Sequence, residues 1–136
     1  MSDQVPTLGY TILYVEDVAA TLDFYERAFG LTRRFFHDEA GKAYGELETG
    51  ATRLAFASIA LAAEHLGQTP ILADPKAAPL GFEIALTTDD VLALHARALA
   101  AGAANVSAPA TKPWGQTVAY VRDQAGFLVE LCTPIP

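Results

Sequence analysis

Two glutamates stand where a charge is hardest to keep. Glu130 lies between Val129 and Leu131 in the apolar run 127–132, and Glu83 lies between Phe82 and Ile84 at the start of another. An isolated carboxylate is rarely left in a dry core, so each either faces a wet cavity or is satisfied structurally by an arginine, a backbone amide or another segment. If both enter one poorly solvated cavity, their mutual repulsion raises the pKa of one of them. That poises the raised one as a general acid or base without a metal. Tyr10, in the strand-like run 8–15, is the third candidate: its phenol either donates to a ligand oxygen or packs with its hydroxyl satisfied.

Other residues fit a binding role. Trp114 and Gln116 flank Gly115 ahead of the last hairpin, an arrangement suited to a lid or cavity wall, although tryptophan is also a common packing anchor. Tyr44, Glu46 and Glu48 alternate along one strand, so that face is either a polar rim or solvent. Phe56 is a candidate for area against a planar ligand, with core packing as its alternative. His37, His65 and His95 have no metal-ligand spacing, and Cys132 has no cationic activator beside it, which argues against a nucleophilic role.

Composition narrows the setting. The 136 residues are 51% hydrophobic and 18% charged, as in a folded globular protein. Sixteen acidic against nine basic residues give a formal net charge of −7, which argues against nucleic acid and against an anionic membrane surface as partners. A single cysteine excludes an intrachain disulfide and fits a cytoplasmic, reducing setting. No cleavable leader is read at the start, and the longest mostly apolar run, 47–63, is broken by Glu48, Thr52 and Arg53, so no membrane span is expected.

The elements that must position these residues follow from period and punctuation. Strand 8–15 leads to Asp17 as a cap, then a helix over 18–29 with Val18, Leu22, Tyr25 and Phe29 as its apolar stripe and Gly30 as its stop. Strands are predicted over 32–36, 43–48 and 52–58. The stretch 59–80 holds a short helix over 59–66 and then a connection rich in proline. A strand over 81–87, a helix over 91–101 capped by Asp89 or Asp90, a short strand at 105–107 and a hairpin, 117–121 with 127–132, complete the chain. The order βαβββ therefore occurs twice. An offset of 73 places Tyr10 on Glu83, Leu13 on Leu86, Asp17 on Asp90 and Val18 on Val91. Module one is placed at about 8–58, the connection at 59–80 and module two at about 81–133, in a single domain.

Val15-x-Asp17, Phe24-Tyr25, Phe29-Gly30, Trp114-Gly115 and Asp123-x-x-Gly126-x-x-x-Glu130 resemble the vicinal oxygen chelate superfamily, the glyoxalase, bleomycin resistance and extradiol dioxygenase group. The resemblance implies an α+β fold of two repeated βαβββ modules forming a curved mixed sheet around a cavity, and a homodimer. It also implies a divalent metal (Zn, Ni, Mn or Fe) in those members that use one. The family's ligand positions fall on Tyr10, on or near Ala55, on Glu83 and on Glu130, so Glu83 and Glu130 are the metal candidates and only weak binding is expected. Lack of a two-histidine, one-carboxylate set weighs against a dioxygenase. Two functions stay open. One is a lyase or isomerase acting on a small oxygenated metabolite through Glu130, Glu83 and Tyr10, with Trp114, Gln116, Phe56, Tyr44 and Glu46 around the substrate. The other is a non-catalytic, drug-binding protein of the bleomycin resistance kind.

Overall fold

The computed structural model describes residues 4–136, so the first three residues of the segment read as leaderless lie outside it. Its elements are β1 (Tyr10–Val15), α1 (Val18–Phe29), β2 (Thr32–Glu39), β3 (Lys42–Glu48), β4 (Arg53–Ser58), α2 (Ile59–Leu66), β5 (Ile84–Thr87), α3 (Val91–Ala100), β6 (Ala104–Thr111), β7 (Thr117–Arg122) and β8 (Leu128–Cys132). They form two βαβββ modules, each with a four-stranded mixed sheet, in the orders β1-β4-β3-β2 and β5-β8-β7-β6. In each sheet the first and last strands of the module pair in parallel, and the other pairs are antiparallel. The chain divides into two compact units. One takes the chain as far as Leu22 together with Leu31–Pro70, and the other takes Asp23–Gly30 together with Ile71–Pro136.

Local chemistry sets the helix ends. Asp17 Oδ1 accepts from the Ala20 amide at 3.0 Å and Asp90 Oδ1 from the Ala93 amide at 3.0 Å, each capping an orphan donor of the first turn. Of the two cap candidates for α3, Asp90 is the one used. α1 ends at Gly30 (φ 71°). There the Arg97 guanidinium donates from Nε to Arg27 O at 2.8 Å and from Nη2 to Glu26 O at 3.3 Å, placing a cation against the last carbonyls of the helix.

In the first unit β1, β4 and β3 bury one face. Leu13, Leu54, Phe56 and Leu47 are all buried there. Gly45, the cross-strand neighbour of Phe56, leaves room for Leu22: a Cβ at Gly45 would lie 2.5 Å from Leu22 Cδ1 and 3.3 Å from Phe35 O. Because Leu22 is itself fully buried and has nowhere to move, Gly45→Ala overpacks this layer. A urea melt is expected to show a loss of about 1–3 kcal/mol, whereas a change within experimental error would mean that α1 can shift away from the sheet.

In the second unit Val121, Val129 and Leu131 are fully buried, as are Val91 and Ala98 of α3. Phe24, Tyr25 and Phe29 of α1 add an aromatic cluster with centroids 5.3–6.0 Å apart. The structure corrects three strands: β2 runs to Glu39 where 32–36 is predicted, β5 begins at Ile84 where 81–87 is predicted and so leaves Glu83 just outside it, and the strand before the hairpin is longer. Residues predicted only at 105–107 extend over the whole of β6, although this includes Pro109. β6 lies at the sheet edge, where proline's missing donor leaves no ladder bond unmade, and its pairing slips between Ser107 and Ala110.

Candidate functional site

β8 presents its side chains alternately to the two faces of its sheet. Val129 and Leu131 go inward, and Glu130 and Cys132 go to the opposite face. Register places Ala85 of β5 and Tyr120 of β7 on either side of Glu130, with Thr87 and Val118 on either side of Cys132. Glu83 precedes β5 by one residue, two positions from Ala85, and its carboxyl lies close enough to that of Glu130 for each to shift the other's pKa. The two glutamates singled out by their apolar settings are therefore partners, although they stand forty-seven residues apart in the chain.

Two carboxyls can hydrogen-bond only if one carries a proton, and the surroundings decide which. Partial burial raises the Glu83 pKa, and the hydrogen bond and charge of Glu130 raise it further. Burial also works to raise Glu130. It is outweighed by hydrogen bonds from Glu83, Cys132 and Tyr120 and by the Lys112 charge, so Glu130 is held below the usual carboxylate range. Tyr120 donates its hydroxyl to Glu130 Oε1 at 3.0 Å, and burial together with that bond pushes its phenol up to about 12. Burial and the same carboxylate push the Cys132 thiol up to about 11. The thiol donates to Leu86 O at 3.9 Å. A thiol so held stays protonated at neutral pH and serves as a donor rather than a nucleophile.

Trp114 and Gln116 belong to the same region. Trp114 Nε1 donates to Gln116 Oε1 at 2.8 Å, and Gln116 Nε2 donates to Thr133 O at 2.8 Å. Thr133 follows Cys132 directly, so this bond fastens the turn beside the end of β8. The indole is 58% exposed. Lys112 opens this turn, with its amide donating to Gln116 O at 2.7 Å.

The remaining candidates lie on the first sheet. Tyr10 is 59% exposed at the start of β1. Glu46 is only 4% exposed and accepts from Tyr44 Oη at 2.7 Å and Arg34 Nη1 at 3.2 Å. Arg34 also reaches Glu48 Oε2 at 3.2 Å, and Arg53 reaches Glu48 Oε1 at 2.9 Å. The face read as either polar rim or solvent is thus a charged ladder tied by two arginines. Burial, and then Glu46, hold the Tyr44 phenol well above its ordinary pKa. Phe56 is fully buried beside Gly45 and Leu13, on the face opposite Tyr44 and Glu46, so it is a core residue and offers no area to a ligand.

Tyr120, Lys112 and the thiol donor Cys132 escaped the sequence reading. The signal for Tyr120 was present: counting back from the tight turn of a two-stranded hairpin pairs Arg122 with Leu128 and hence Tyr120 with Glu130.

A resident divalent ion takes three or more protein donors in a closed or half-open shell. Among the described residues no group of three or more His, Cys, Asp or Glu side chains could hold one. The two carboxylates of the cluster are engaged with each other and with a phenol, a thiol and the Lys112 charge, so the residues do not fit such an ion. Nor, among the described residues, is any helix long and apolar enough to cross a membrane.

Comparison with known proteins gives a consistent picture. A family model described as the Glyoxalase/Bleomycin resistance protein/Dioxygenase superfamily matches residues 7–131. No curated protein sequence matches. Among solved structures, a glyoxalase-related enzyme from Fulvimarina pelagi aligns with TM-score 0.76 and 21% identity, over 97% of this chain and 88% of that one. TioX from Micromonospora sp. ML1 aligns with TM-score 0.68 and 24% identity, over 94% and 98%. A glyoxalase/bleomycin resistance protein/dioxygenase family enzyme from Burkholderia phytofirmans PsJN aligns with TM-score 0.73 and 20% identity, over 94% and 98%. At these identities the likeness concerns the fold, on which many chemistries are built.

Proposed function

Since the chain belongs to the glyoxalase, bleomycin resistance protein and dioxygenase superfamily, we propose that it binds a small oxygenated metabolite at the Glu83–Glu130 cluster and moves a proton at the carbon next to a carbonyl, as an isomerase or lyase. The observation that supports this reading is the pairing of β5 with β8, which brings together an acid of raised pKa and a carboxylate of lowered pKa that also accepts from Tyr120 at 3.0 Å. Glu83 gives its proton to the ligand's carbonyl oxygen while Glu130 takes the proton from the adjacent carbon. The proton count of the pair is unchanged, and an α-hydroxy carbonyl compound becomes the enediol; Glu130 then returns its proton to the former carbonyl carbon while the other hydroxyl gives its proton to Glu83, which completes an isomerisation and restores both groups. Glu130 is a weak base at rest, but once the Glu83 proton turns to the ligand it loses one of its donors and its basicity rises. Tyr120 and Cys132 hold the carboxylate in place throughout.

This reading fixes the form of the pH profile. Activity requires Glu130 ionised and Glu83 protonated. The kcat/KM therefore rises as pH passes the lowered Glu130 value, holds across a window and falls as pH passes the raised Glu83 value; both limbs belong to the pair as a whole. The linked stability terms have opposite signs. Glu130, lowered on folding, contributes stability that is lost as pH falls through its folded pKa. Glu83, raised on folding, contributes stability that is lost as pH rises through its own. A thermal-shift screen of hydroxy- and oxo-metabolites, followed by turnover assays against pH on each hit, is the test. An alkaline limb that survives Glu83→Gln would remove Glu83 from the mechanism.

A second reading draws on Trp114. An exposed indole beside a carboxylate cluster suits a planar cationic compound held without turnover, in the manner of a drug-sequestering protein. The same screen separates the two, because such a hit raises the melting temperature and is recovered unchanged.

A further inference from the structure

Glu83 lies outside the ladder that holds its neighbours. Pairing of β5 with β8 begins at Ile84 with Val129, so no strand bond fixes the residue whose proton the pair shares. The segment before it is held by contacts of its own. Residues 74–77 form a compact turn, in which Asp74 Oδ1 accepts from the Lys76 amide at 2.9 Å and Asp74 O accepts from the Ala77 amide at 3.0 Å. The turn presents carbonyls to a single side chain. Arg122 at the end of β7 donates from Nη2 to Asp74 O at 2.9 Å, from Nη1 to Ala77 O at 2.6 Å and, at 3.4 Å, to Pro75 O. Its Nε donates to Gly126 O at 2.9 Å, which anchors the guanidinium on the β7–β8 turn.

Gly126 completes the seat. It has φ 102°, and a Cβ there would lie 2.7 Å from Pro75 N and 2.8 Å from the Asp74 carbonyl carbon, so the segment rests directly on its backbone. Beyond the clamp, Pro79 stiffens the chain. Phe82 then packs edge-on against Phe127, with centroids 5.9 Å apart.

We infer that Arg122 is a positioning residue: by fastening the 74–77 turn onto the β7–β8 turn, it delivers Glu83 to Glu130. The planar fork of arginine suits this task, since a lysine cannot serve four carbonyls spread around it. The inference rests on the proposed function, in which Glu83 and Glu130 work as a pair. The titratable groups facing that pair are Tyr120 on β7, Cys132 on β8 and Lys112 at the turn after β6, and all of them remain in an Arg122 variant.

The test is a ¹³C NMR titration of the glutamate side-chain carboxyls in the full chain, comparing wild type with Arg122→Gln, Arg122→Lys and Phe82→Ala. In wild type the Glu83 midpoint is expected above the ordinary glutamate value and the Glu130 midpoint below it. In Arg122→Gln, with Glu83 released, the separation is expected to shrink by roughly half or more, and Arg122→Lys falls between the two. A purely structural clamp would lower the melting temperature and leave the separation unchanged. If Arg122→Gln does not fold, Phe82→Ala, at a residue 44% exposed, loosens the same segment and carries the comparison. A separation that persists in the folded variants overturns the role of Arg122 and leaves the pair intact. A wild type whose two carboxyls share one ordinary midpoint defeats the pair itself, and with it the proposed function.

Discussion

Glu130→Gln is expected to lower turnover by about 10²–10⁴-fold, the usual contribution of a positioned acid or base, while the protein stays folded. The amide keeps the shape of the side chain and can still accept from Tyr120, whose hydroxyl stands 3.0 Å from Oε1. It cannot take a proton from carbon, and it leaves Glu83 without the carboxylate that holds its proton in place. Glu83 should then titrate closer to an ordinary glutamate, since hydrogen bonding to and charge on Glu130 are among the causes of its shift. If the protein is a receptacle rather than an enzyme, the same change weakens a cationic ligand by about 1–3 kcal/mol, the scale of one charge-assisted contact. Turnover assays and calorimetry on each screening hit tell these results apart. A hit for which both affinity and turnover are unchanged in Glu130→Gln rules out this carboxylate under either reading.

Asp123→Ala is expected to be among the most damaging single changes to stability, at about 3–5 kcal/mol. Asp123 is 4% exposed and organises the turn between β7 and β8. Its Oδ1 accepts from the Gly126 amide at 2.9 Å and the Phe127 amide at 2.8 Å, and its Oδ2 accepts from Tyr25 Oη at 2.6 Å. Burial raises the Asp123 pKa, and these bonds work against that rise. Removing the carboxylate takes an acceptor from a buried phenol and from two turn amides together. Tyr25→Phe removes only one donor and should cost about 1–3 kcal/mol. Chemical denaturation of both single variants and of the double variant gives their coupling, and an Asp123→Ala loss below about 1 kcal/mol would mean that water replaces the carboxylate in full. The effect reaches the site, because this turn also carries the Gly126 carbonyl and the backbone seat on which Arg122 and the 74–77 turn rest.

What the sequence determined by itself is the short-range part. The βαβββ repeat, the aspartate caps at Asp17 and Asp90, the stop at Gly30 and the tight turn after Arg122 are each settled within a few residues by period, cap chemistry or φ preference, and each could be read directly. The apolar neighbours of Glu83 and Glu130 marked them for the same reason: a charge in such a run needs an explanation wherever the strand lies. Their joining, the direction in which each pKa moves and the Arg122 clamp belong to the tertiary structure, because they depend on which strands lie side by side and on a connection whose prolines announce no partner. Phe56 shows the limit most simply. β4 reads Arg-Leu-Ala-Phe-Ala-Ser, with small or apolar residues on both faces and both faces buried, so alternation cannot say which of them packs against α1. That was decided by a glycine on the neighbouring strand, where Leu22 fills the space a side chain would have taken and Phe56 is enclosed beside it.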